Sequence, residues 1–223
     1  MNLSVCMIVR DEEKVLERCL NSIKDEADEI VIVDTGSTDG TQEIARRFTD
    51  RIFFFPWTDD FSAARNASFR NARGDLLMWL DADDLIAPEM LPRLRALKLR
   101  MEKEQADMAV CRYENGGCTY FRERVMRRAS GFLWEGRVHE CITPHGKVIR
   151  DDFTVRHLGS EKPRGARNLH IYQKWRAEEQ LGGRDLFYYG RELYYNRLYT
   201  EAVAGLEEML AGDGWYVNKI EAC

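Results

Sequence analysis

Leu76-Leu77-Met78-Trp79-Leu80-Asp81-Ala82-Asp83-Asp84 is a run of five apolar residues that ends in three acids within four positions. Entered from Gly74 and Asp75, the apolar run reads as a strand buried on both faces. Packing supplies no reason for acids at its end. A hard divalent cation does, because it takes oxygen ligands and a short Asp-Xaa-Asp turn can aim carboxylates at one ion. In open α/β sheets, ligands sit beyond the carboxyl ends of the strands. An acidic turn there is well placed to hold a metal against a phosphate. The alternative is a solvated turn capping a helix that begins near Pro88.

Upstream of this run the chain alternates strand and helix. Leu3 to Val9 reads as a buried strand. Val15, Leu16, Cys19, Leu20 and Ile23 follow at helical spacing, with Asp11 as a candidate cap. Glu29 to Val33 is a second strand ending at Asp34. A small polar loop, Thr35 to Thr41, leads into a helix through Phe48. Ile52 to Phe55 is a third strand, and Ser62 to Ala72 a short helix stopped by Gly74. Such alternation implies βαβ units and a mostly parallel sheet flanked by helices. Downstream, Pro88 to Arg100 is an amphipathic helix. Met108 to Tyr113 and Thr119 to Arg127 are antiparallel strands about Gly116-Gly117. Gly131 to Gly159 reads as short strands and loops, including Val148-Ile149 and Phe153-Thr154-Val155. Pro163 suits a helix start, with Leu169, Tyr172 and Trp175 as its stripe and Gly182-Gly183 as its end. Two helices, about Arg184–Arg197 and Tyr199–Ala211, follow, and Trp215 to Ile220 begins another.

The 223 residues suffice for one large domain or one domain with an appendage. No apolar run is long enough to span a bilayer. The N-terminus lacks the basic start and cleavage site of a signal peptide, which implies a cytoplasmic protein. Six cysteines occur without a CxxC pair, which disfavours a zinc ribbon. Net charge is −5, with 10 basic and 19 acidic side chains in the first 90 residues and 23 and 19 in the rest. The acidic half argues against a nucleic-acid partner.

Glu12, Asp34, Asp81 and Asp83 all follow proposed parallel strands, so they share one sheet edge. Carboxylates there suit ribose hydroxyls and a base edge, and a metal suits a diphosphate; helix capping is the plainer reading of Glu12 and Asp34. The loop Asp34-Thr35-Gly36-Ser37-Thr38-Asp39-Gly40 is neither GxxxxGK[ST] nor GxGxxG, which disfavours kinases and Rossmann dehydrogenases.

Ser4 to Glu12, Val31 to Thr41, and Asp81-Ala82-Asp83-Asp84, in that order and spacing, resemble the family-two nucleotide-sugar glycosyltransferases. Trp57-Thr58-Asp59-Asp60-Phe61-Ser62-Ala63-Ala64-Arg65-Asn66 resembles the branch that includes the bacteriocin S-glycosyltransferases and many proteins with attached tetratricopeptide repeats. The resemblance covers about residues 3–160. Asp11 departs from it, since Asn is commoner there.

The resemblance implies an α/β GT-A fold at 1–160 and a helical extension at 161–223. It implies that Glu12 and Asp34 hold uracil or ribose, and that Arg65 and Asn66 line the donor pocket. Asp81 would reach ribose or metal, and Asp83 and His157 would ligate Mn²⁺ or Mg²⁺. Trp134 to Glu140 matches the segment near the acceptor, with Glu140 as the expected base and His139 as the second candidate. Lys162, Arg164 and Arg167 either cover the diphosphate or form a solvated helix start.

The expected activity is metal-dependent, inverting transfer from a UDP- or GDP-type sugar to a hydroxyl or thiol. The acceptor would be a protein, a lipid-linked sugar or a polysaccharide. The rival is a non-catalytic scaffold presenting helical repeats. In the tail, Tyr189-Gly190, Leu193, Tyr199, Ala202 and Leu206 sit at tetratricopeptide spacing, against an ordinary helical hairpin as the alternative. One such unit cannot bury its own face. The chain is therefore expected to be cut short, or its helices to dock on the catalytic domain or on a second copy as a homodimer.

Overall fold

The structure is a computed structural model that describes residues 1–159 and 166–212. It divides into two compact units. The first comprises Met1–Thr58, Ser62–Glu135 and Ile142–Glu161, and the second Asp59–Phe61, Gly136–Cys141 and Lys162–Cys223.

The first unit is built on an eight-stranded sheet. Its strands are β1 (Leu3–Val9), β2 (Glu29–Asp34), β3 (Ile52–Phe54), β4 (Leu76–Trp79), β5 (Asp84–Leu85), β6 (Met108–Asn115), β7 (Cys118–Arg127) and β10 (Val148–His157). Their order is β3-β2-β1-β4-β7-β6-β10-β5. The β1–β2, β1–β4, β2–β3 and β6–β10 pairs are parallel, and the remaining three are antiparallel. Two short strands, β8 (Trp134–Glu135) and β9 (Cys141–Ile142), form a separate ribbon. Helices α1 (Leu16–Ile23), α2 (Thr41–Arg46), α3 (Phe61–Asn71) and α4 (Leu91–Glu104) supply the layers.

The apolar strands explain the layering. Leu3, Val5, Met7 and Val9 of β1 pack with Leu16, Leu20 and Ile23 of α1 and with Leu94, Leu97 and Met101 of α4. Cys6 faces the other way and packs with Val31, Leu77, Trp79 and Phe69 of α3. A strand buried on both faces has to be apolar at successive positions, as β4 and Val5 to Val9 of β1 are. Gly74, just before β4, lies where the backbones meet. A Cβ there would stand 2.8 Å from Ser4 N and 2.9 Å from Asn2 O. Gly74→Ala is therefore expected to cost about 1–3 kcal/mol in a urea melt, because backbone cannot give way as a side-chain tip can.

Glu29 ties the same corner together. It accepts the Arg73 N–H at 2.8 Å and the Ser4 hydroxyl, and pairs with Arg51. Burial opposes its charge, but these three partners outweigh burial and hold its carboxyl below the usual range. A depressed folded pKa contributes stability above the unfolded value of about 4.3, and that stability is lost as pH falls through the folded value. The stability gap between wild type and Glu29→Gln is expected to shrink from about pH 5 to about pH 2.

Several local expectations are corrected. Asp11 does not cap α1, whose N-cap is Val15 without a side-chain bond. Instead Asp11 adopts φ 53°, and its carboxylate accepts the Thr38 N–H at 2.7 Å. Asn and Asp tolerate that left-handed backbone better than other residues, which explains why Asp serves where Asn is commoner. The helix expected through Phe48 ends at Arg46. The pieces expected at Val148 and Phe153 are one strand, β10, with a register shift between Asp151 and Thr154.

In the second unit, α5 (Arg167–Glu178) buries Leu169, Ile171, Tyr172 and Trp175. It stops before Gly182, which is instead the N-cap of α6 (Gly183–Tyr195). α6 pairs with α7 (Tyr199–Ala211) as a hairpin. They come close at Gly190, where a Cβ would meet Leu206 Cδ2 at 2.6 Å. Pro163 and the segment Trp215 to Ile220 lie outside the described residues.

Candidate functional site

Parallel pairing sets Val9 beside Asp34 and Cys6 beside Trp79. The carboxyl ends of β1, β2 and β4 therefore share one edge, and the acids after them gather there. After Trp79 the chain makes a closed turn. The Asp84 N–H donates to Asp81 O at 3.0 Å, and the Asp81 N–H donates to Asp84 Oδ2 at 3.0 Å. β5 then pairs antiparallel with the end of β10, setting Asp84 opposite His157. The Leu158 N–H closes the contact on Asp83 O at 3.1 Å. Residues more than 70 positions apart thus meet.

His157 Nδ1 lies 3.4 Å from Asp83 Oδ1 and 3.1 Å from Asp84 Oδ1. The potential ligand atoms of Asp83, Asp84 and His157 all lie within 4.8 Å of one another. Two carboxylates and an imidazole so close form a donor set that fits a divalent cation. Burial raises the Asp83 pKa, and Asp81 and Asp84 add to it against the pull of His157. Crowded like charges of this kind favour a cation among them.

Asp81 is held differently. Arg65 Nη2 donates to Asp81 Oδ1 at 2.8 Å. Burial works against its charge, but Arg65 first, then Arg124 and Arg122, hold the carboxyl below the usual range. Arg65 also lies over Trp134 at 4.8 Å and Trp79 at 5.3 Å, so its guanidinium is clamped by stacking. Asn66 commits its amide to Trp134, donating to its carbonyl and accepting its N–H, both at 2.9 Å. It fixes the ribbon rather than offering a free amide. Trp134 itself is buried and meets Trp79 edge-on at 5.2 Å.

Asp34 sits at the end of β2. Its Oδ1 accepts the N–H groups of Gly36 and Ser37 at 2.7 and 2.8 Å. Its Oδ2 is buried with no hydrogen-bond partner among the described residues. An open cleft of about 490 Å³ adjoins it, lined by Gln42, Arg46, Thr49, Ile52 and Phe54 among others. The Glu12 N–H donates to the Thr41 hydroxyl, which ties the first acidic loop to the second. Asp39 accepts the N–H groups of Glu13 and Thr41 at 3.2 and 3.0 Å and braces both.

His139 and Glu140 belong to the second unit. His139 has φ 52°, and its Nε2 lies 3.0 Å from Glu192 Oε1 on α6. Tyr188 stacks on the imidazole at 4.5 Å, and Arg184 donates to the His139 carbonyl at 2.6 Å. Glu140 is half-buried. Lys162 and Arg164 lie outside the described residues, and Arg167 lies over Phe61 at 4.8 Å.

Sequence reasoning missed three parts of the first unit's site. Arg124 and Asp84 are fully buried. Tyr113 donates to Asp84 Oδ1 at 2.9 Å. The one signal was a third acid beyond the Asp-Xaa-Asp pair.

This sheet order, with acids and a late histidine at its carboxyl edge, defines a GT-A α/β scaffold. Solved structures of the same fold include Staphylococcus aureus TarS in complex with UDP-GlcNAc, with a TM-score of 0.58 and 16% identity over 100% of this chain and 70% of that one. Glucosyl-3-phosphoglycerate synthase of Mycobacterium tuberculosis, in complex with Mn²⁺ and UDP-glucose, gives a TM-score of 0.56 and 17% identity over 78% of each chain. Residues 4–160 match the description Glycosyl transferase family 2, and the chain belongs to that family. The SPbeta prophage-derived glycosyltransferase SunS of Bacillus subtilis is 31% identical over 92% of this chain and 52% of its own length. A TPR repeat-containing protein of Synechococcus elongatus is 47% identical over 63% of this chain and 35% of its own. The chain thus spans about half or less of the length of these relatives. No helix among the described residues is long and apolar enough to cross a membrane.

Proposed function

We propose that this chain carries the donor-binding and catalytic part of a metal-dependent, inverting glycosyltransferase that uses a nucleotide-diphosphate sugar, UDP-linked in the first instance. The observation that carries the reading is the convergence of Asp83 and His157 beside the Arg65–Asp81 pair. Support comes from the UDP-GlcNAc bound to TarS and from the Mn²⁺ and UDP-glucose bound to the mycobacterial synthase.

In this reading Asp34 and Glu12 hold base or ribose, and the unpartnered Asp34 Oδ2 takes a donor N–H or O–H. Arg65 keeps Asp81 ionised and aimed toward ribose or metal, while Asn66 steadies Trp134 beneath them. Asp83 and His157 ligate Mn²⁺ or Mg²⁺. The ion would offset the charge that develops on the departing diphosphate. An acceptor hydroxyl or thiol attacks the anomeric carbon from the opposite face and gives up its proton to Glu140 or, second, His139. The Glu192 contact on His139 is the carboxylate–imidazole arrangement that orients a base, and it favours the second candidate. Residues 161–223 are read as a helical extension whose α6–α7 hairpin is tetratricopeptide-like and open to pairing with a second copy. The acceptor class is a protein, a lipid-linked sugar or a polysaccharide.

A panel of UDP- and GDP-sugars incubated with the protein and Mn²⁺ tests the reading. Metal-dependent release of nucleotide diphosphate from one member is the expected result. No release from any member, with no binding of any nucleotide diphosphate, would favour a non-catalytic scaffold presenting its helices to a partner. Glu140→Gln and His139→Ala decide the base, since the true base should lose about 10²–10⁴-fold in kcat with little change in KM.

A further inference from the structure

Asp84 lies inside the only group of convergent metal-type donors among the described residues, yet its surroundings differ from those of Asp83. A carboxylate has two oxygens and about four acceptor sites. On Asp84 both oxygens are engaged by the protein, by three hydrogen-bond contacts and one ion pair. Oδ1 accepts the Tyr113 hydroxyl at 2.9 Å and faces His157 Nδ1 at 3.1 Å. Oδ2 accepts the Asp81 N–H at 3.0 Å and faces Arg124 Nη1 at 3.5 Å. Asp84 is 0% exposed, and so is Arg124.

Charge matching points the same way. Arg124 is buried, and its Nε and Nη2 have no hydrogen-bond partner among the described residues. Its guanidinium rests 3.5 Å above the Trp79 ring and 4.8 Å from that of Tyr113, and donates to the Trp79 carbonyl at 2.9 Å. Asp84 is the carboxylate that balances it, since a buried charge needs a partner. Among the described residues Asp83 pairs with no arginine, and its side chain keeps 16% exposure. A cation would therefore find its unbalanced negative charge on Asp83.

We propose that Asp84 is a positioning residue and not a metal ligand: braced by Tyr113 and Arg124, it takes the Nδ1–H of His157 and so leaves the Nε2 lone pair for the cation. The inference rests on the metal reading above and refines it. A ligating histidine commonly donates its other ring N–H to a carboxylate, which fixes tautomer and orientation. Here that carboxylate comes from the same turn as Asp83. Among the described residues nothing bonds His157 Nε2. The closed turn then acts as one piece: the part-exposed Asp83, 3.4 Å from His157 Nδ1, is left to the ion, and the buried Asp84, closer at 3.1 Å, to the histidine.

Two measurements on the whole chain test this. The first is the tautomer of His157 in metal-free protein, read from long-range ¹H–¹⁵N correlation at alkaline pH; the chain has four histidines, so assignment by single substitution is practicable. Protonation at Nδ1 is expected, and protonation at Nε2 overturns the proposal. The second is Mn²⁺ affinity from the free-ion electron paramagnetic resonance signal. Asp84→Asn should weaken binding about 10–100-fold, as loss of an outer-shell partner does, and Tyr113→Phe by a smaller factor. Asp83→Asn should abolish binding. An unchanged affinity in Asp84→Asn overturns the proposal. So does a loss as complete as that of Asp83→Asn with Tyr113→Phe unaffected, because Asp84 is then a ligand. Should Asp84→Asn fail to fold, the wild-type tautomer and the Tyr113→Phe affinity decide alone. A wild type that binds no Mn²⁺ or Mg²⁺ removes the metal reading itself and this inference with it, an outcome distinct from the others.

Discussion

Asp83→Asn is expected to abolish Mn²⁺ binding and to lower sugar transfer by at least about 10²–10³-fold, while the melting temperature of the metal-free protein stays the same or rises. The loss is of the size seen when one charge-stabilising group is removed from a transition state. The stability result follows from the geometry. Asp83 is pushed toward protonation by burial and by Asp81 and Asp84, which outweigh the opposing pull of His157 and a backbone hydrogen bond. Removing one of three crowded carboxylates relieves repulsion that the free protein carries for its function. Parallel melting and activity assays check both halves. A large drop in stability with metal binding retained would make Asp83 a structural residue.

Asp34→Asn should weaken binding of UDP about 10–100-fold and change stability by less than about 1 kcal/mol. The structure holds Asp34 by one oxygen only, through Gly36 and Ser37. The other oxygen is buried without a hydrogen-bond partner among the described residues. A hydrogen bond to a charged acceptor contributes about 1.5–3 kcal/mol, which sets the expected loss. Asn keeps the loop-holding carbonyl but turns the second acceptor into a donor. Titration calorimetry with UDP, beside urea melts of the same variant, separates the two effects. Full affinity in Asp34→Asn would take the nucleoside away from this edge.

The fold was legible where burial is complete on both faces. β4, Val5 to Val9 of β1 and Ile30 to Val33 of β2 are uninterrupted apolar runs, and the strand–helix alternation places their ends on one edge. β10 was not legible as one strand, because Arg150, Asp151 and Asp152 interrupt its apolar pattern at the register shift. β5 has two residues and no pattern of its own; pairing with β10 creates it. The same contrast holds for the site. Asp34, Asp81 and Asp83 follow strands and can be found by position. Arg124 cannot, since it is one of three arginines in β7 and nothing in the sequence marks it as the one sealed beneath Trp79. The His139–Glu192 contact joins a loop residue to a residue of α6 53 positions later, and nothing in either local sequence marks it.

The most direct test of the central claim is a thermal melt with UDP, with and without Mn²⁺, on the wild type and Asp83→Asn. UDP and Mn²⁺ together are expected to raise the wild-type melting temperature more than either does alone, equivalent to about 2.7 kcal/mol at a hundredfold excess over Kd. Asp83→Asn should lose the part that depends on the metal. A wild type whose melting is indifferent to Mn²⁺ and to every nucleotide diphosphate, or an Asp83→Asn response equal to that of the wild type, would contradict it.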